Sequence, residues 1–292
     1  MKLWLGLGLL VALFSPQAVR AASAINLSPA SHDVVLTSEQ PIQNLSFTLT
    51  NQTSDKVTVT LSAVDFGPLD ETGGVAFLGQ DNTTWQHRLT PWLTIDQERL
   101  TMAAGQSVTA TVRLENRLDL TPGGHYAAVL ARLADDEQPV PTGVGWQGVL
   151  ASQFYVLKKG GEQYDLRLHD ITPTGLMLTW PKEISLRWWA GGNTHVKPYG
   201  TISVTSVRGR KVAEAVINTD SALLLPEATR VLASSLIKKG LIWPGKYTVQ
   251  IGYHHQANSE LIWQTVTWWY LPWWLVLIGL AIVGQIWRKR RG

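Results

Sequence analysis

The 292 residues carry 25 Lys/Arg against 22 Asp/Glu and no cysteine. A chain of this make-up has no disulfide to rely on and must hold itself by burying apolar surface, for which its length suffices for two ordinary domains. The formal charge of +3 sits at the ends: without Lys2, Arg20 and four cations at the C-terminus, 19 basic residues face 22 acidic ones, so no basic face for nucleic acid is implied.

The first segment, "MKLWLGLGLLVALFSPQAVRA", has a charged start, an apolar run from Leu3 to Phe14, a breaker at Pro16 and small residues at Val19 and Ala21. This order predicts a signal peptide over residues 1–21, cleaved after Ala21 with Ala24 as the alternative. From Ile25 onward strand patterns dominate. "LSFTLTN" alternates Leu45, Phe47 and Leu49 against polar partners, and "KVTVTLSAVDF" alternates Val57, Val59, Leu61 and Ala63. "SVTATVRLE", "GGHYAAVLARL" and "GVLASQFYVLKKGG" continue the series, separated by turn chemistry at Asn51 to Asp55, Asp70 to Gly74, Ala104-Gly105 and Pro122-Gly123-Gly124. Period-two patterning with such breaks predicts an antiparallel sandwich over residues 25–157.

A second unit follows a glycine break near Gly160 and covers residues 161–267. "ISLRWWA" turns Ile184, Leu186 and Trp188 inward, "GTISVTSVRGRKVAEAVI" reads as a hairpin turning at Gly209, and "GKYTVQIGYHH" alternates Tyr247, Val249, Ile251 and Tyr253. A last strand, "LIWQTVTWW", runs almost directly into the C-terminal segment. From Trp268 to Trp287 no side chain is charged, and a twenty-residue helix spans roughly 30 Å, the thickness of a bilayer core. Residues 268–287 therefore read as a transmembrane helix, with Trp268, Trp269, Tyr270, Trp273, Trp274 and Trp287 at the membrane interfaces. Arg288, Lys289, Arg290 and Arg291, in a tail over 288–292, then set a single-pass plasma-membrane topology with the C-terminus cytoplasmic and the bulk of the chain outside, the bilayer being one partner.

No constellation in the sequence carries catalytic chemistry. The seven histidines are scattered, and His254 and His255, adjacent on a strand, point to opposite faces, so neither a metal nor any other cofactor is indicated. Asp135, Asp136 and Glu137 lack the spaced oxygen ligands of a calcium loop. Asp65, Asp70 and Glu71 are the only carboxylates to weigh as a hydrolase pair, and no nucleophile elbow or phosphate loop occurs. The candidate ligand contacts are two tryptophans and a basic turn. Trp189 should face away from Trp188, Trp146 lies in a Gly-rich loop, and Arg208 and Arg210 flank the Gly209 turn, where they suit an anionic polymer.

The order of parts, with "FTLTNQTSDKVTVTLSAVDF", "LTMAAGQSVTATVRLENRLDLTPGGHYAAVLARL" and later "GGNTHVKPYGTISV" and "WPGKYTVQIGY", resembles the WxL-interacting proteins and related bacterial surface proteins with Ig-like, chaperone-type sandwiches. The resemblance implies two tandem Ig-like β-sandwiches, the first associated with peptidoglycan or another envelope polymer and the second with a surface protein. The function expected on these grounds is a membrane-anchored binding or scaffolding protein of the cell envelope. The alternative is a chaperone-like or accessory subunit that pairs with a client strand, and a wall hydrolase is the remaining rival.

Overall fold

A computed structural model describes residues 25–38, 41–79, 84–134, 148–255 and 259–291. The expected signal peptide, the acidic run Asp135 to Glu137 and Trp146 lie outside the described residues.

Strands β1 (Ile25–Ser28), β3 (Ile42–Asn51), β8 (Ser107–Glu115) and β6 (Leu93–Ile95) form one sheet in the order β1-β3-β8-β6. A second sheet runs from β2 (Ser31–Leu36) through β10 (Leu150–Lys158), β9 (Gly123–Leu133) and β4 (Val57–Pro68) to β5 (Val75–Phe77), with β7 (Arg99–Met102) also paired to β4. Period-two alternation makes these strands what they are: Phe47, Leu49, Leu61, Val112, Leu114 and Phe154 point between the sheets and are fully or almost fully buried. Strand β9 departs from alternation and is buried at every position from Gly123 to Ala131. One of its faces covers this core and the other meets the second half of the chain.

That half repeats the architecture. Strands β11 (Leu166–Thr172), β13 (Glu183–Ala190) and β16 (Thr229–Ser235) make a three-stranded sheet. Facing it is a six-stranded one ordered β12 (Gly175–Met177), β19 (Ile262–Tyr270), β18 (Gly245–His254), β14 (Tyr199–Ser206), β15 (Lys211–Ile217) and β17 (Ile237–Lys238). Ile184, Leu186, Trp188, Val249 and Ile251 are fully buried between them, as their alternation predicts, and Tyr247 and Tyr253 nearly so.

The C-terminal segment corrects the sequence-based expectation. Alternation does not stop at Thr267 but continues through "WWY", so Trp268, Trp269 and Tyr270 belong to β19, opposite Tyr247, Lys246 and Gly245 of β18. Trp268 is completely buried in the second core, edge-on to Trp180 at 6.1 Å, and is no interface residue. Pro272 then separates the strand from the helix α1 (Trp273–Arg291). The uncharged part of α1, from Trp273 to Trp287, is only fifteen residues, about 22 Å of helix, before Arg288, Lys289, Arg290 and Arg291 begin. Among the described residues no helix is long and apolar enough to cross a membrane. The single-pass topology, and with it the assignment of an outside and a cytoplasmic end, therefore falls.

The two sandwiches meet across a buried seam. Phe66, Tyr126, Ala128 and Leu130 of the first pack with Leu225 and Ala228 of the second. Polar contacts fix the alignment: the Gly124 N–H donates to Asn193 O at 2.8 Å, the Val231 N–H donates to Glu71 O at 2.9 Å, and Gln86 Nε2 donates to Glu227 at 2.8 Å. The Arg187 guanidinium grips the Glu71 carboxylate with two nitrogens. Here the Pro122-Gly123-Gly124 turn acquires its reason. Gly123 has φ 123°, and a Cβ on it would sit 2.8 Å from Asn193 O.

Candidate functional site

A sheet edge is a row of unpaired donors and acceptors, and most edges among the described strands are blunted. Strands β5, β6, β12 and β17 are two or three residues long, and β1 and β7 four. Strand β11 is broken by a bulge between Leu168 and Asp170, and β16 is covered where Val231 bonds to Glu71. Strand β2 differs. It runs six residues parallel to β10 without a register break, and no described strand lies on its other side.

The local sequence explains its placement. Pro29 and Ala30 carry the chain from one sheet to the other, and the Ser152 hydroxyl donates to Pro29 O at 3.0 Å. Val34 and Leu36 drop into the first core, and the His32 ring stacks on Phe154 at 4.8 Å. The carbonyls of Ala30 and Leu36 accept from the Gln153 and Lys159 N–H groups at 2.9 and 3.0 Å. Backbone direction alternates along a strand, so Ser31, Asp33 and Val35 turn their N–H and C=O groups to the open side. Val35 itself is 51 % exposed.

Beside this edge, between the sandwiches, lies a cavity of about 570 Å³ walled by Leu157, Tyr164, His195, Lys197, Tyr199 and the His254-His255 pair. The His255 ring stacks on Tyr164 at 5.4 Å, and Tyr199 lies 5.9 Å from His254. Lys197 approaches Asp33 of the edge strand at 3.4 Å. His195 places Nδ1 3.1 Å from the Tyr126 hydroxyl. Burial pushes the His195 imidazole down to about 4, partly offset by the pull of Asp33, while the Lys197 charge lowers it by a smaller amount. Burial likewise raises the Tyr126 and Tyr155 phenols. The cleft thus offers imidazoles, phenols and one ammonium beside the strand edge. No group of three metal-binding side chains occurs among the described residues.

The residues singled out in the sequence lie elsewhere. Trp189 is half-buried, with its ring stacked on His169 at 5.8 Å and the Arg167 guanidinium 5.0 Å from its centre, so its faces are occupied from within. Arg208 and Arg210 stand exposed at the β14–β15 turn. The carboxylates weighed as a hydrolase pair serve the fold. Asp65 is buried and accepts from the Leu89 and Thr90 N–H groups and the Thr90 hydroxyl at 2.7, 2.9 and 2.7 Å. Asp70 caps its own turn through Thr72, and Glu71 holds Arg187. The edge strand escaped the sequence reading because Val34 and Val35 are adjacent, which breaks alternation in a six-residue stretch. His195 and Lys197 carried no signal beyond their place in "GGNTHVKPYG".

No family model matches this chain, and no curated protein matches it. Some solved structures are similar to it at low overlap. It is similar to the class 5 fimbriae chaperone CfaA at 10 % identity over 83 % of this chain and 98 % of that one, with a TM-score of 0.46. It is similar to the Salmonella enterica SafA pilin in complex with the SafB chaperone at 9 % identity, 83 % and 96 % coverage and TM-score 0.39, and to the E. coli chaperone DraB at 9 %, 82 %, 95 % and 0.36. These are likenesses at low overlap.

Proposed function

We propose that this chain takes up an extended segment of a surface protein by strand addition along β2, as a chaperone-like or accessory subunit. The observation that carries the reading is the outward set of N–H and C=O groups on Ser31, Asp33 and Val35 beside the cleft. Main-chain hydrogen bonds to such an edge supply affinity whatever the client's sequence, and the cleft receives every second client side chain and supplies selectivity. This replaces the membrane-anchored scaffold expected from the sequence, whose anchor α1 does not provide.

Hydrogen exchange on the full chain with a synthetic peptide of alternating β-branched residues tests it. Added peptide should slow exchange at the Ser31, Asp33 and Val35 amides and leave β11 unchanged. Protection confined to another edge, or absent everywhere, would sink the proposal.

A further inference from the structure

The β14–β15 turn and the loop before β18 build a second recess at the end of the second sandwich remote from β2, and the two sites share no residue. Its volume is about 520 Å³, within the range of small-ligand sites. Arg208, Arg210 and Lys246 line it, with no carboxylate among its walls. The acid nearest in the hairpin, Glu214, is already taken by Lys211 and Lys239, each at 2.7 Å, and these bonds hold its carboxyl at about 2. Among the described residues none of the three cations has an acidic partner.

Into the same recess stands Trp243, 69 % exposed. An indole so placed is normally mobile, but here its backbone is clamped. The Tyr247 hydroxyl accepts from the Trp243 N–H at 2.9 Å and donates to the Trp243 carbonyl at 2.5 Å, while Tyr247 is pinned edge-on by Trp180 at 5.1 Å. The result is an exposed apolar ring on a clamped stretch of main chain, with cations along the same recess. A pyranose ring with an acidic substituent matches both halves, stacking its C–H face on the indole and presenting its oxyanion to the guanidinium forks.

From this pairing of an exposed Trp243 on a clamped main chain with Arg208, Arg210 and Lys246, which have no acidic partner among the described residues, we infer that the recess binds an acidic saccharide, a uronate or a sugar phosphate. Calorimetric titration of the full chain with an oligogalacturonate and with a hexose-phosphate oligomer tests it, with maltotriose, poly-glutamate peptide and anionic phospholipid vesicles as separate arms. At least one acidic saccharide should bind, more weakly at 200 than at 50 mM salt (roughly as counterion release requires), and maltotriose should not. Trp243→Ala and the double change Arg208→Gln/Arg210→Gln should each lower affinity at least ~10-fold, whereas Trp263→Ala, an exposed tryptophan at the far end of β19, should not. Failure of both acidic saccharides, binding that survives Trp243→Ala, or preference for the peptide or the vesicles would overturn the assignment.

Discussion

Asp65 illustrates how a residue's meaning changes once its surroundings are known. In the sequence it is a carboxylate at a strand end near two others, which invites a catalytic reading. In the fold it is buried and satisfies two backbone amides and a hydroxyl at the start of the 3₁₀ turn Thr90–Trp92. Removing it leaves two amides without partners in a dry site, so Asp65→Ala should cost about 3 kcal/mol, read as a fall in the urea midpoint. Nothing local in "AVDFG" could have told this, because the donors lie more than twenty residues away. Gly123 was legible as a turn residue, yet its partner Asn193 was not. Gly123→Ala should lower the melting temperature by several degrees, as expected for the ~1–3 kcal/mol of a strained backbone.

Among the strands, legibility followed burial pattern and length. Strands β3, β8, β13 and β18 have one face in a core and one outside, and their alternation places them unaided. The sequence does not mark the short strands β1, β5, β6, β7, β12 and β17, nor the longer β2, β11 and β16: β2 has adjacent valines, β11 a bulge, and β16 lies under the Glu71 turn of the other sandwich. The unread strands are edges, and edges are where recognition takes place, so the site was the least readable part of the chain. The tail failed for a different reason. Tryptophan and tyrosine are as much at home in a strand as at a membrane surface, and composition alone joined the end of β19 to α1. At this scale the decisive change is Val35→Pro. It deletes one outward N–H without touching a bond to β10, so it should leave the fold intact by circular dichroism and abolish peptide protection along β2.

For the whole molecule, a buried His195 in the seam between the sandwiches predicts a loss of stability in acid. His195 sits there near Tyr126 and Tyr155, with Asp33, Lys197 and the His254-His255 pair around the same cleft. Its folded pKa, about 4, lies below the unfolded value of 6.5, so the unfolded chain binds more protons between these values. Stability is therefore complete above pH 6.5 and declines as pH falls toward 4, by at most about 3 kcal/mol and less to the extent that solvent reaches the rim of the ring. His87 and His125, also lowered by burial, act in the same direction. Urea midpoints at pH 7, 5.5 and 4.5 should fall in that order, and His195→Phe should flatten the slope while lowering the midpoint at pH 7. An unchanged slope in the variant would place the sensitivity elsewhere.

The joining of β19 to α1 through Pro272 also determines how the protein answers a mechanical pull. Tension applied to the helix passes straight into β19, which is held by β18 over nine residue pairs and by β12 over three. The hydrogen bonds of a ladder lie across the strands, so a pull along β19 shears all of these rungs together rather than opening them one after another. With Trp268 buried in the core at the end where tension enters, a pull on the helix must also extract an indole before the strand can leave the sheet.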